Sequence, residues 1–476
     1  MPLFKRPRED ETASRMIKKG APLSVYEIYA RELTAWEFSK KRGEMLDGMR
    51  YYAGDHDILR RRRTAIGAGG ESICAENLPN TRIVDNQYAR HADIKTNYLL
   101  GKPVTVKSES DRFSKALSET LDADFMRNFR EAALLSLNCG IAWLFPFIDG
   151  EGQLRFRLFS GAEIMPLWRD EAHKTLDAAV RLYFTEQYFA GEKRRIKKAD
   201  IFTPGGVQTC VFSEGTLYPE GARQSYVSAG GRELNWERLP LVPIRCNARE
   251  IPLIRRARTL QDAINLLESD LLNNMQQDVH NTVLVLKNYD GQDLGEFRRN
   301  LMTYGAVKVR TVEGHDGGVE SLKVEVNADN YDTSLKLLKR ALTENVKSCD
   351  ARDDRLGQSP NQMNIQSMYS DMDLDANAME TELRAAMFEI VGFVTAYLEL
   401  TGRGSFSGED IRVIFDRDML INESEAVENC VKSKGIISDE TITAMHPWVE
   451  DPARELKLMR GSRGGFFGIF GTVVLK

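Results

Sequence analysis

With 476 residues, 42% of them apolar and 28% charged, the chain has ordinary globular composition and room for two to four domains. Its net charge of −5, from 65 basic and 70 acidic side chains, excludes a global cationic field that would draw it onto nucleic acid. Its 36 glycines and 15 prolines exclude collagen-like and proline-rich architectures.

The polar, charged N-terminus reads as a flexible arm to about residue 33. Residues 34–52 follow a helical pattern, with Trp36, Phe38, Met45, Leu46, Met49 and Tyr52 among charged side chains. Residues 60–75 combine the run Arg60 to Arg63 with Gly67, Gly69 and Gly70, which marks a surface loop. Such an arginine run would suit a phosphate backbone but is more often a solvated face. Helices are predicted over residues 85–100, ending at Gly101-Lys102-Pro103, and over 122–139, ending at Gly140. Alternating apolar segments at 141–148, 154–159, 178–184 and 200–212, separated by turns, predict an antiparallel sheet. The first half, residues 34–250, therefore reads as a mixed α+β domain.

Beyond it, Ala257, Leu260, Ile264, Leu267, Leu271 and Met275 recur every three or four residues, the mark of a helix with one narrow apolar stripe. A compact insert follows, with strands at 282–286, 306–312 and 319–326 and a short helix at 294–302. Tyr331, Leu335, Leu338, Leu342 and Val346 mark a second helix. Two thinly striped helices thus flank a small domain, and their other faces need neighbours or solvent. Residues 348–372 are polar and read as loose. Leu383, Met387, Ile390, Val394 and Tyr397 then define a strongly amphipathic helix. A strand at 411–415, helical stretches and a glycine- and phenylalanine-rich tail complete the chain.

The enzymatic signals fail in turn. There is no GxxxxGK[ST], HExxH or GxSxG, and Gly67-Ala-Gly69-Gly70 lacks the third glycine of a dinucleotide fingerprint. The six histidines show no ligand spacing. Asp371, Asp373, Asp375, Asn377 and Glu382 match a calcium-loop template, but Ala376 stands where the turn glycine belongs, so no metal site and no cofactor are expected. The six cysteines (Cys74, Cys139, Cys210, Cys246, Cys349, Cys430) form no CxxC pair and read as buried thiols in a reducing compartment. The N-terminal stretch MPLFKRPREDETASRMIKKG has no apolar h-region and does not read as a signal peptide, and no uncharged apolar run reaches the ~18 residues of a spanning helix, so a soluble intracellular protein with no membrane partner is expected.

Four groups of residues together resemble the Gp6-like portal proteins of tailed bacteriophages and prophages. They are Tyr51-Tyr-Ala-Gly-Asp-His-Asp-Ile-Leu59 with Asn77-Leu-Pro-Asn-Thr-Arg-Ile-Val84 and Asp93-Ile-Lys-Thr-Asn-Tyr-Leu-Leu-Gly-Lys-Pro-Val104; Cys139-Gly-Ile-Ala-Trp143 with Ile164-Met-Pro-Leu-Trp168; Asp293-Leu-Gly-Glu-Phe-Arg-Arg-Asn-Leu301 ahead of Gly317-Gly318; and Leu356-Gly-Gln-Ser-Pro-Asn-Gln-Met-Asn364 leading into Asp373-Leu-Asp-Ala-Asn377. They run in the family's order from about residue 45 to 455, and none is a catalytic motif.

The resemblance implies a non-enzymatic protein that forms a ring, usually twelve-fold, at one capsid vertex. It implies a portal fold: an N-terminal arm (1–33), an α+β wing (34–250), a first stem helix (251–280), a small α/β clip (281–328) and a second stem helix (329–348). A tunnel-loop region (349–372), a long wing-crossing helix (373–402) and a C-terminal part with a reduced crown (403–476) follow. Its implied partners are further copies of itself, double-stranded DNA, the terminase large subunit, the major capsid and scaffolding proteins, and head-completion or adaptor proteins. Its implied location is the virion, after assembly in the bacterial cytoplasm. The tail departs from the family, whose members usually continue into a longer charged helical crown.

A DNA conduit must centre the duplex without gripping it. The candidates for contact are Arg352, Arg355, Gln358, Asn361, Gln362 and Asn364 in the loop and Lys336, Lys339, Arg340 and Lys347 along the second stem helix. Asp290, Asp293, Glu296, Arg298 and Arg299 offer a mixed-charge docking surface on the clip. The rival readings are another head-assembly or adaptor protein, which would lack the helix–insert–helix arrangement, and a hydrolase using dispersed carboxylates or a cysteine.

Overall fold

The computed structural model describes residues 4–5, 24–66, 71–74, 79–189, 191–229, 231–278, 282–287, 318–323, 328–349, 362–417, 423–449, 452 and 454–459. The expected arm over 6–23, the short helix at 294–302, the strand at 306–312 and the Gly/Phe tail lie outside the described residues. Among the described residues the main helices are α1 (Val25–Glu37), α2 (Lys40–Tyr52), α3 (Gln87–Leu100), α4 (Asp111–Thr120), α5 (Ala123–Cys139), α6 (Ile254–Asp278), α7 (Ala328–Asn345), α8 (Gln362–Leu400), α9 (Glu423–Lys432) and α10 (Asp439–Met445). The fold is mixed α+β, as expected.

The chain divides into two compact units. The first comprises residues 1–49, 90–255 and 343–476; the second comprises 50–89 and 256–342.

In the first unit, an arm reaching to residue 33 is corrected: a helix begins at Val25. Ser24 and Glu27 form a capping box, with Ser24 N donating to Glu27 Oε2 at 2.7 Å and Glu27 N to Ser24 Oγ at 3.3 Å. Tyr29, Ala30 and Leu33 of α1 then pack on Met165, Val180, Ile201 and Phe212 of a sheet. The single helix expected over 34–52 is also two helices, because Ser39 Oγ accepts the Arg42 N–H at 3.2 Å and starts α2 afresh.

That sheet is antiparallel, in the order Thr216–Pro219, Gly206–Ser213, Glu192–Thr203, Leu176–Phe189, Ile164–Trp168. Its strand from Glu192 escaped the apolar pattern because its first half, EKRRIKK, leaves the core. There Arg195 lies 3.9 Å over the Phe184 ring, and Lys197 pairs with Glu37 at 2.6 Å. A three-stranded sheet (Val242–Arg245, Ile141–Ile148, Leu154–Ser160) bears the larger core, where Phe113, Phe129 and Leu144 meet Leu383, Met387, Ile390, Val394 and Tyr397 of α8. The predicted α8 stripe is wholly buried; each such aliphatic side chain contributes roughly 1.5–3 kcal/mol.

Where α2, the Trp168–Leu176 turn and the strand Val242–Arg245 converge, Glu250 lies buried. Lys41 Nζ reaches its Oε2 at 2.7 Å, and His173 Nδ1 and Arg245 Nε reach its Oε1 at 2.9 and 3.1 Å. Burial alone would raise this carboxyl; Lys41 first, then His173, holds it down at about 2. All six cysteines are free thiols; Cys139, Cys210, Cys246 and Cys349 are buried, whereas Cys74 is exposed.

The loose segment expected over 348–372 is corrected in its second half. Helix α8 starts at Gln362 and runs 39 residues. Polar composition hid its first turns, in which Tyr369 and Met372 are buried against Tyr98 and Cys349.

Candidate functional site: the helix pair and its junctions

The second unit holds most of α6 and α7. Along α6 the apolar stripe is only partly covered: Ala257 and Ile264 are buried, but Met275 is 56% exposed. The fully buried row is instead Gln261, Asn265, Ser269 and Asn273, four residues apart. Asn273, Ser269 and Asn265 accept the backbone N–H groups of an extended segment beside them, and Gln261 accepts one at the start of α3. Asn273 Oδ1 takes Thr81 N at 2.7 Å, Ser269 Oγ takes Ile83 N at 2.9 Å, and Asn265 Oδ1 takes Asp85 N at 3.1 Å. Gln261 Oε1 takes Tyr88 N at 2.9 Å, while its Nε2 donates to Asp85 O at 2.7 Å.

The match has a geometric cause. Four helical residues rise about 6.0 Å and two extended residues about 6.6 Å, so alternate strand amides meet successive helix turns. A search for apolar periodicity passes over this row, because it is a polar row at helical spacing.

Asn265 Nδ2 also donates to His56 Nδ1 at 2.8 Å, and His56 Nε2 donates to Tyr51 O at 2.9 Å. These partners fix a neutral imidazole, and burial lowers its pKa further below 6.5. Tyr51 stacks on that ring and donates to Asp262 Oδ1 at 2.7 Å. Burial would raise Asp57, but Arg258 and Arg50, at 2.7 and 2.8 Å, bring it to about 2.

The arginine run is absorbed by the same unit. Arg60 pairs with Asp55 and Arg61 with Asp270, both at 2.8 Å, and Arg63 donates to Pro79 O at 2.7 Å. Arg62 is exposed.

On α7, Lys336 pairs with Asp332 at 2.6 Å on an exposed face. Lys339 sits between Asp85 at 2.6 Å and Glu268 at 3.2 Å. Burial disfavours its charge, but those carboxylates more than offset it and raise its pKa. Arg340 is exposed. Lys347, just past α7, has φ of 51° and lies 3.4 Å from Asp375. Tyr331 accepts from Asn274 of α6 at 2.9 Å. The strands Thr282–Lys287 and Gly318–Lys323, between the two helices, pair antiparallel.

Of the loop candidates, Gln362 and Asn364 lie in the first turn of α8. Arg352, Arg355, Gln358 and Asn361 lie outside the described residues, as do Asp290, Asp293, Glu296, Arg298 and Arg299. The acidic run that fits a calcium template lies on a continuous helix. Asp373 and Glu380 pair with Arg417 at 2.7 and 2.9 Å, and Asp375 pairs with Lys95 at 2.6 Å. Among the described residues, no cluster of three or more His, Cys, Asp or Glu side chains could hold a metal ion. Nor is any described helix long and apolar enough to cross a membrane.

The fold is mixed α+β, and in chain order two long helices bracket the β-paired strands Thr282–Lys287 and Gly318–Lys323. Residues 37–463 match the family described as phage portal protein, SPP1 Gp6-like, and the chain belongs to that family. It is 29% identical over 420 residues to the portal protein of Bacillus phage SPP1, covering 87% of this chain and 82% of that one. It is 23% identical over 438 residues to the portal protein of Clostridium phage phiCD119, covering 88% and 92%. The function is that of a phage portal vertex protein, and the family is a structural component of the phage, not an enzyme family.

Proposed function

We propose that copies of this chain close into a ring, twelve-fold, through which double-stranded DNA enters the procapsid and later leaves it. In this reading α6 and α7 are the stem, the insert between them is the clip, residues 350–364 approach DNA, and α8 crosses the wing. The clip residues Asp290, Asp293, Glu296, Arg298 and Arg299 dock the terminase large subunit and afterwards head-completion proteins. The major capsid and scaffolding proteins surround the ring, which assembles in the host cytoplasm and ends at the virion vertex. No covalent chemistry and no cofactor are needed.

One observation carries this reading: Lys336, Lys339 and Lys347 each have a carboxylate partner within 3.4 Å. Duplex DNA bears a charge every ~1.7 Å of axis, and an unbalanced basic wall would hold it through many released counterions. Cations already matched by carboxylates suit a surface along which DNA must slide. Leu266, Met275 and Leu337, all well exposed in the single chain, are available to a neighbouring copy. Negative-stain microscopy of the purified protein tests the reading. Annular particles with a central hole are expected; persistent monomers even with scaffolding and capsid proteins present would refute it.

A further inference from the structure

Two residues of α3, three positions apart and so on one helix face, hold the chain on either side of residues 350–361. Lys95, with its side chain only 6% exposed, sends its ammonium to Val346 O at 2.9 Å, Lys347 O at 3.3 Å and Asp375 Oδ2 at 2.6 Å. Tyr98 stacks on Tyr369 with ring centroids 5.6 Å apart, and its hydroxyl donates to Asp373. Cys349, Met372 and Ala376 complete a buried cluster around Tyr98.

The end of α7 is itself sharply defined. Ser348 N donates to Thr343 O at 3.0 Å and Lys347 N to Glu344 O at 3.1 Å, the double closure of a Schellman turn. Lys347 takes the left-handed position there, where glycine is usual. The Lys347 ammonium turns to Asp375, so one carboxylate of α8 receives both lysines.

Burying an ammonium carries a desolvation penalty that an apolar side chain of similar volume would avoid. What the charged group adds is direction: two carbonyls past α7 and one carboxylate on α8 are tied to a single point on α3. An apolar replacement would fill the space without fixing those three acceptors relative to one another.

We propose that Lys95, acting with Asp375, is a positioning residue that locks the exit of α7 to α8, so that the segment between them leaves and returns at fixed points. Its consequence for DNA passage rests on the reading of this chain as a conduit.

The test uses the full-length chain with Lys95→Met and, because a lone buried Asp375 could prevent folding, the double variant K95M/D375L. The double variant is expected to keep the wild-type thermal midpoint and to form rings. Amide exchange at Lys347, Ser348 and Cys349 should accelerate by about tenfold or more, and DNA packaging into heads built with the variant should fall by a similar factor. Unchanged exchange at those amides overturns the lock, whatever happens to DNA. Faster exchange with wild-type packaging overturns its role in DNA passage. If wild-type rings themselves take up no DNA, the conduit reading fails instead, and the lock stands or falls on the exchange result alone.

Discussion

The Asn273 carboxamide of α6 accepts the backbone N–H of Thr81 at 2.7 Å, and Asn265, two turns earlier, does the same for Asp85 at 3.1 Å. The segment Thr81–Asp85 is thus held to α6 as a strand is held to a sheet, with side chains in place of the neighbouring strand's backbone. Hydrogen bonds of this kind bring modest net gain when made and a larger penalty when one partner is removed in a buried site.

Asn265→Leu should therefore destabilise the protein by about 2–4 kcal/mol, since it strands the Asp85 N–H, the Gln261 amide and the His56 ring together. Hydrogen exchange locates the effect. Protection should drop at Thr81, Ile83 and Asp85, while the core around Ile390 and Val394 is unchanged. Uniform loss across the chain would argue against a local ladder.

Two acid transitions are expected. His56 is held below its ordinary value of 6.5, so the unfolded chain takes up that proton first. Its contribution is complete above about pH 6.5 and declines below it by up to roughly 1.4 kcal/mol per pH unit until the folded ring protonates. Glu250, held at about 2 against an ordinary 4.5, contributes on the order of 3 kcal/mol above pH 4.5, and this is lost as pH falls toward 2. Thermal midpoints measured stepwise from pH 8 to 2 should show both declines. Glu250→Gln should shrink the lower one to the share that Asp57, also held at about 2, contributes, and leave the upper unchanged.

Gly140 ends α5 at φ of 83°, and a Cβ placed there would stand 2.1 Å from the Glu250 carbonyl oxygen. Gly48 of α2 is as tight, with a Cβ position 2.0 Å from Asn138 O. Backbone cannot yield as a side chain does, so Gly140→Ala or Gly48→Ala should each cost about 2 kcal/mol or more. Gly150→Ala, with nothing within 4 Å of its Cβ position, is the control expected to melt within a degree or two of wild type.

The elements legible in the sequence are those whose burial follows one period. The α8 stripe from Leu383 to Tyr397 is legible because one helix face is apolar and covered, and the strand Ile141–Ile148 because it is a short apolar run whose first half is buried on both faces. Helix α4 is not legible in the sequence: in ten residues it carries few apolar anchors, Phe113 and Leu117 above all. The Gln261–Asn273 row was invisible for the opposite reason, being buried and polar, so its signal lies in the partner segment's backbone, which has no side-chain pattern. The four-arginine run read as a surface feature because sequence cannot show that Asp55, Asp270 and Pro79 O await three of its members. Of the candidate DNA contacts, the lysines on α7 and just past it stand out by type, but the pairing of Lys339 with Asp85 and Glu268 and of Lys347 with Asp375 depends on tertiary placement.

That pairing sets the terms for Arg352 and Arg355. If, as proposed, conduit walls are balanced, then Arg352 and Arg355, set in the sequence among Asp350, Asp353 and Asp354, are expected to supply transient phosphate contacts and not a grip. Arg352→Ala with Arg355→Ala should leave ring assembly intact and reduce retention of packaged DNA several-fold. The reverse change, Asp353→Lys with Asp354→Lys, should slow packaging by adding phosphate contacts, and raising salt should relieve it because each contact releases counterions. Packaging rate and DNA retention at two ionic strengths distinguish these outcomes. If both variants behave as wild type at both strengths, residues 350–364 do not meet DNA.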